Sequence, residues 1–164
     1  MGLRTTGARG RRVAHRERRQ GRALDSQDFA RLAAETASEK KAEDIVALDV
    51  GDLLVVTDYF VICTARNDRQ VRTIAEEVEL KLKQAGLPAI GVEGAEEGKW
   101  VLIDFADVVV HVFQPDERDF YRLEKLWSDA PRLSLPAEVV NATSQPVAAR
   151  LEDNEEHAAG DTTS

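Results

Sequence analysis

Asp104, Asp107 and His111 fall within eight residues of one another, and Asp58 precedes a second apolar run. Two carboxylates and an imidazole at strand ends are a donor set that can hold a divalent cation, and carboxylates so placed serve nucleotidyl transfer. Phosphoryl chemistry also needs a cradle for the triphosphate. No glycine-rich phosphate loop or Gly-Ser turn precedes these acids. Aspartates at turns and edges are common without catalysis, so this set reads as turn, cap or docking groups. Cys63, the single cysteine, stands in an apolar run with no histidine near it in sequence, which makes it an inert core thiol. His111 among valines reads as a hydrogen-bonded, part-buried imidazole or as a partner contact. Trp100 is equally open: it follows a polar loop and begins a strand, and a tryptophan there is either an exposed docking anchor or core packing. Trp127 reads as packing of a helix on a sheet.

The elements that must position these residues follow from periodicity. A helix is expected over Ser26–Lys41, capped by Asp25 or Ser26, with Phe29, Leu32, Ala33 and Ala37 on one face. A short strand, Asp44–Asp49, leads through Gly51-Asp52 to a second at Tyr59–Ala65, apolar on both faces and hence central in a sheet. Asn67 and Gln70 form a capping-box pattern. From there Val71, Ile74, Ala75, Val78, Leu82 and Ala85 keep one apolar stripe until Gly86 and Pro88 stop the helix. Strands follow at Ala89–Glu93, Lys99–Phe105 and Val108–Gln114. The two-residue link Ala106-Asp107 forces the last two into an antiparallel hairpin. Alternation then places Trp100, Leu102 and Asp104 on one face and Val101, Ile103 and Phe105 on the other. A last helix after Pro115, capped by Asp116, carries Phe120, Leu123, Leu126 and Trp127 on its apolar side and ends before Pro131. The order predicts an α/β (α+β) fold, a mixed sheet of about five strands flanked by helices.

Charge divides the 164 residues into three segments. Residues 1–22 carry eight arginines and one acid, residues 23–135 thirteen basic and twenty-three acidic side chains, and residues 136–164 one arginine against six acids. The first and last are expected to be disordered, a basic arm and an acidic tail around one domain at 23–135. For the arm, a solvated extension, an upstream start codon, an RNA-touching segment and a transit peptide all stay open. A domain this acidic repels a phosphate backbone, so little direct nucleic-acid contact is expected from it. One cysteine and three histidines exclude an internal disulfide and leave too few ligands for a closed zinc site. No apolar run approaches the roughly 20 residues of a membrane helix, and no secretory signal is seen. A soluble cytoplasmic protein is expected, with no cofactor, no metal and no enzymatic activity.

The series KKAEDIVALDV, DYFVICTARNDRQVRTIAEEVELKLKQAG and VEGAEEGKWVLIDFADVVVHVFQPDERDFYRLEKLW closely resembles the ribosomal silencing factor (Iojap) family, over about Leu24 to Pro131. The resemblance implies a fold similar to nucleotidyltransferases without their catalytic motif. It implies binding to the large ribosomal subunit through its protein number fourteen of the L series (uL-fourteen), at the surface where the small subunit docks. Subunit joining is thereby blocked and translation slowed in starvation or stationary phase. It also implies a link to large-subunit assembly and a possible homodimer. The family's docking surface maps onto Trp100, Phe105 and Asp107, and further onto Leu102, Asp104 and His111. Strict alternation puts Trp100 and Phe105 on opposite faces, so either the turn releases Phe105 or one of the two is core.

Overall fold

The computed structural model describes residues 24–143; the arm at 1–22 and the tail beyond 143 lie outside them. The chain runs α1 (Ser26–Glu39), β1 (Glu43–Asp49), β2 (Tyr59–Thr64), α2 (Asp68–Gln84), β3 (Gly91–Glu93), β4 (Trp100–Asp104), β5 (Val108–Phe113), α3 (Pro115–Tyr121), α4 (Leu123–Leu126) and α5 (Ala137–Thr143). The sheet order is β1-β2-β5-β4-β3. Only β2 and β5 pair in parallel; the other neighbours are antiparallel. The mixed five-stranded sheet flanked by helices is as the sequence predicts.

The two long helices each start at a side-chain cap. Asp25 caps α1 by accepting from the Asp28 amide, and the Asp28 carboxylate accepts from the Asp25 amide, closing a capping box. At α2, Asn67 accepts from the Gln70 amide. Gln70 does not complete the expected box. Its Oε1 accepts from the Arg66 amide and its Nε2 donates to the Lys40 and Lys41 carbonyls, so it ties α2 to the end of α1.

Two apolar layers sandwich the sheet. On the first face, Val61, Cys63, Val101, Ile103, Phe105, Val108, Val110 and Val112 pack under the alanine-rich side of α1 and the stripe Val71, Ile74, Val78 and Leu82 of α2. The second face holds a smaller cluster: Leu48, Val50, Phe60, Ile62, Val109 and Phe113, with Trp100, Leu102, Leu123 and Trp127 packed at its margin. The α1 residues facing this layer are the small Ala30, Ala33, Ala34 and Ala37, all fully buried, and the first layer is the larger of the two.

The C-terminal part departs from expectation in three ways. The expected single helix after Pro115 is two short ones, broken at Arg122, whose φ of 47° is left-handed. Its N-cap is Gln114 with Pro115 at the first helical position, and not Asp116, which lies inside the first turn. The break turns Leu123 and Trp127 onto the second face but leaves Phe120 and Leu126 outward, 79% and 70% exposed. Arg118 holds the pair of helices down: it donates to Thr64 Oγ1 at 3.0 Å and the Asp44 carbonyl at 2.8 Å and pairs with Glu124. The fold also continues past residue 135. Leu133 hydrogen bonds β1 through the Ala47 carbonyl, and α5 packs on β1 and α1 with Val139 buried. The expected boundary at 135–136 therefore falls inside the packed region, with Leu133, Leu135 and Val139 all seated on the first-face core.

Candidate docking surface

Trp100 is held by its backbone before its side chain is considered. The polar loop that precedes it turns at Gly94, where φ is +85° and an added Cβ would lie 2.0 Å from the Trp100 carbonyl. Only glycine fits that approach. On the other side, the Gln114 amide donates to the Lys99 carbonyl and Gln114 Nε2 to the Gly98 carbonyl. The start of β4 is thus clamped between the loop and the end of β5.

Pairing of β4 with β5 sets Trp100 opposite Phe113, Leu102 opposite His111 and Asp104 opposite Val109. The Trp100 indole stacks on Phe113 with centroids 5.0 Å apart and meets Tyr121 at 4.6 Å. Its Nε1–H donates to His111 Nδ1 at 3.2 Å. Trp100 is half-buried, neither fully core nor fully exposed. Leu102 and Asp104 continue the row along β4, also half-buried. Glu93 on β3 stands beside Leu102. The result is an apolar stripe with carboxylates at its rim.

His111 is only 5% exposed. It lies beneath the stripe, with Phe60 edge-on at 5.1 Å and Phe113 parallel at 6.1 Å. Burial lowers its pKa from 6.5 to about 4. The ring is therefore neutral when folded, while an unfolded chain takes up a proton below pH 6.5. Stability contributed by the neutral ring is complete above pH 6.5 and lost as pH falls toward 4, with a limiting slope of about 1.4 kcal/mol per pH unit. Between these pH values the urea-unfolding free energy of the parent is expected to fall more steeply than that of a His111→Phe variant, by up to about that slope.

Phe105, expected on this surface, is not part of it: it is 1% exposed and belongs to the first-face core. The reason is where the chain reverses. Phe105 N–H still donates to the Val108 carbonyl at 2.9 Å, so the ladder persists through it. The reversal is confined to Ala106, with φ of 68° and a 3.0 Å bond from the Asp107 amide to the Phe105 carbonyl. That is a γ-turn of the strained, positive-φ kind. Phe105 thus stays in phase with Val101 and Ile103.

The acids considered for metal chemistry do not converge with the imidazole. Asp104 Oδ1 accepts from the Ala106 amide at 2.8 Å, an Asx-type turn bond. Asp107, half-exposed, gives its carbonyl to the amides of Asp58 and Tyr59 at 2.9 and 3.1 Å, fastening the hairpin turn to the start of β2. Asp58 is buried at that junction. His111 has Nδ1 committed to Trp100. Among the described residues no group of three His, Cys, Asp or Glu side chains could hold a metal ion. Cys63 is wholly buried, and desolvation raises its thiol to about 12 despite the opposing pull of Arg118. No helix among the described residues is long and apolar enough to cross a membrane.

Residues 23–163 match the family described as ribosomal silencing factor during starvation. The chain belongs to that family. It is 45% identical over 112 residues to the ribosomal silencing factor of Bacillus subtilis, covering 68% of this chain and 95% of that one. A crystal structure of a Chromobacterium violaceum protein, 41% identical, superposes with a TM-score of 0.63 over 64% of this chain and 88% of its own. A more distant relative, 31% identical over 93 residues, is the mouse protein named for mitochondrial assembly of the ribosomal large subunit; the match covers 55% of this chain and 41% of that protein. Within the family frame, the candidate surface gains one member that sequence reading passed over. Tyr121 closes the aromatic group around Trp100, and the Phe120-Tyr121 doublet ahead of the Leu123–Trp127 run was its only signal.

Proposed function

We propose that this chain is a silencing factor that binds the large ribosomal subunit through uL-fourteen and blocks joining of the small subunit, without catalysis. Family membership supports the ribosomal role. The single observation that carries the docking site is the half-open Trp100–Leu102 stripe rimmed by Asp104 and Glu93. Half-buried aromatic and aliphatic side chains supply contact area at low entropy cost. An acidic rim on a domain with thirteen basic and twenty-three acidic side chains over residues 23–135 suits a basic ribosomal protein and disfavours rRNA. Occupying the joining surface needs only affinity and bulk.

Co-sedimentation with isolated large subunits tests this. Binding is expected near physiological salt, with association slowing steeply as salt rises from about 0.05 to 0.5 M, since charge complementarity acts mainly on the on-rate and is screened over about 10 Å at 0.1 M. Binding insensitive to salt, or retained by naked rRNA, contradicts it. The mouse relative's name favours a second reading, in which the same surface serves assembly of the large subunit. Accumulation of precursor particles when the gene is deleted distinguishes the two.

A further inference from the structure

The Trp100–His111 bond is unusual in what it leaves over. An imidazole that accepts at Nδ1 carries its proton on Nε2 when neutral. His111 Nε2 is buried and has no hydrogen-bond partner among the described residues. A buried N–H without an acceptor costs about 1–3 kcal/mol, and an apolar residue in the same place, between Phe60 and Phe113, avoids that cost. The side chain is therefore a poor choice for stability alone. What it provides is an acceptor directed at the indole from below, with the Trp100 ring fixed against Phe113 and Tyr121 on its other contacts.

We infer that His111 is a positioning residue for Trp100: it does not touch the partner, and its Nδ1 holds the indole in the orientation that docks. This rests on the docking reading of the Trp100 stripe. It also separates His111 from the contact residues with which the sequence grouped it. A tryptophan fixed before binding loses less rotational freedom on docking, so the bond contributes to affinity through preorganisation.

Two variants test it in the full chain. His111→Phe keeps a ring among Phe60, Phe113 and Trp100 and removes the acceptor. His111→Asn keeps an acceptor oxygen at the place of Nδ1. Three quantities are read for each: the urea midpoint at pH 7.5, the exchange of the Trp100 indole N–H with solvent by NMR, and the affinity for isolated large subunits. For His111→Phe the expected result is an unchanged or raised midpoint, indole exchange at least about tenfold faster, and affinity about three- to tenfold weaker, the size of one hydrogen bond. His111→Asn is expected to recover indole protection and affinity together. Unchanged indole exchange in His111→Phe overturns the inference, as does faster exchange with unchanged affinity. If Trp100→Ala itself leaves affinity unchanged, the docking reading fails, and the positioning role fails with it; the indole signal then still reports whether the bond exists. A lowered midpoint in His111→Phe with affinity per folded molecule unchanged marks a purely structural histidine and also overturns it.

Discussion

Trp100→Ala is expected to weaken binding to isolated large subunits about thirtyfold or more while the domain stays folded. Truncating a central aromatic anchor typically costs 2 kcal/mol or more of binding, and every 1.4 kcal/mol is tenfold. The fold should survive because Trp100 is half-buried at the margin of the smaller apolar cluster. Its loss from Phe113 and Tyr121 is expected to lower stability by only about 1–2 kcal/mol. Co-sedimentation of the variant beside the parent, with circular dichroism for the fold, checks both halves. Equal binding by the two proteins places the docking surface elsewhere.

The second large effect is on stability. Phe105→Ala should destabilise the domain by about 4 kcal/mol, within the range for emptying a fully buried phenylalanine site. That is a large share of the roughly 5–15 kcal/mol that holds a domain of this size together. Affinity per folded molecule should be unchanged, because Phe105 faces the helices and not the open stripe. Urea unfolding gives the first number, as a lower midpoint with an unaltered slope. Binding measured on the folded fraction gives the second. A variant that is stable yet binds poorly would restore Phe105 to the docking surface.

These two residues show what the sequence makes legible. Alternation in β4 and β5 is a period-2 signal over eleven residues, strong enough to sort Trp100 from Phe105 by face, and the two-residue link fixes the hairpin register. From that register Trp100 and His111 fall on one face, diagonally across neighbouring strands, so their proximity follows from the turn length, while the hydrogen bond between them does not. What sequence could not show is how the chain accommodates Arg122. A left-handed arginine has no compositional signature, so one helix was expected where two stand, and Phe120 and Leu126 were expected inside. The parallel β2–β5 pairing depends on where the α2 crossover delivers the chain, which is a tertiary matter. Helix α5 is not legible in the sequence because its seven residues, with Val139 buried and Val140 exposed, are too few to show a helical period. The turn role of Asp104 is legible in its position two residues before the Ala106 amide it accepts from, but the bond from the Asp107 carbonyl to the Asp58 and Tyr59 amides is a backbone contact invisible to residue type.

In the proposed role this domain is a spacer that occupies the large subunit where the small subunit must land. Light scattering from purified large and small subunits mixed at joining magnesium concentration, with the protein in molar excess, tests it most directly. The expected result is a suppressed scattering rise, restored in full when Trp100→Ala replaces the parent protein. Subunits that join at the same rate and to the same extent with the parent protein in excess rule out the spacer role.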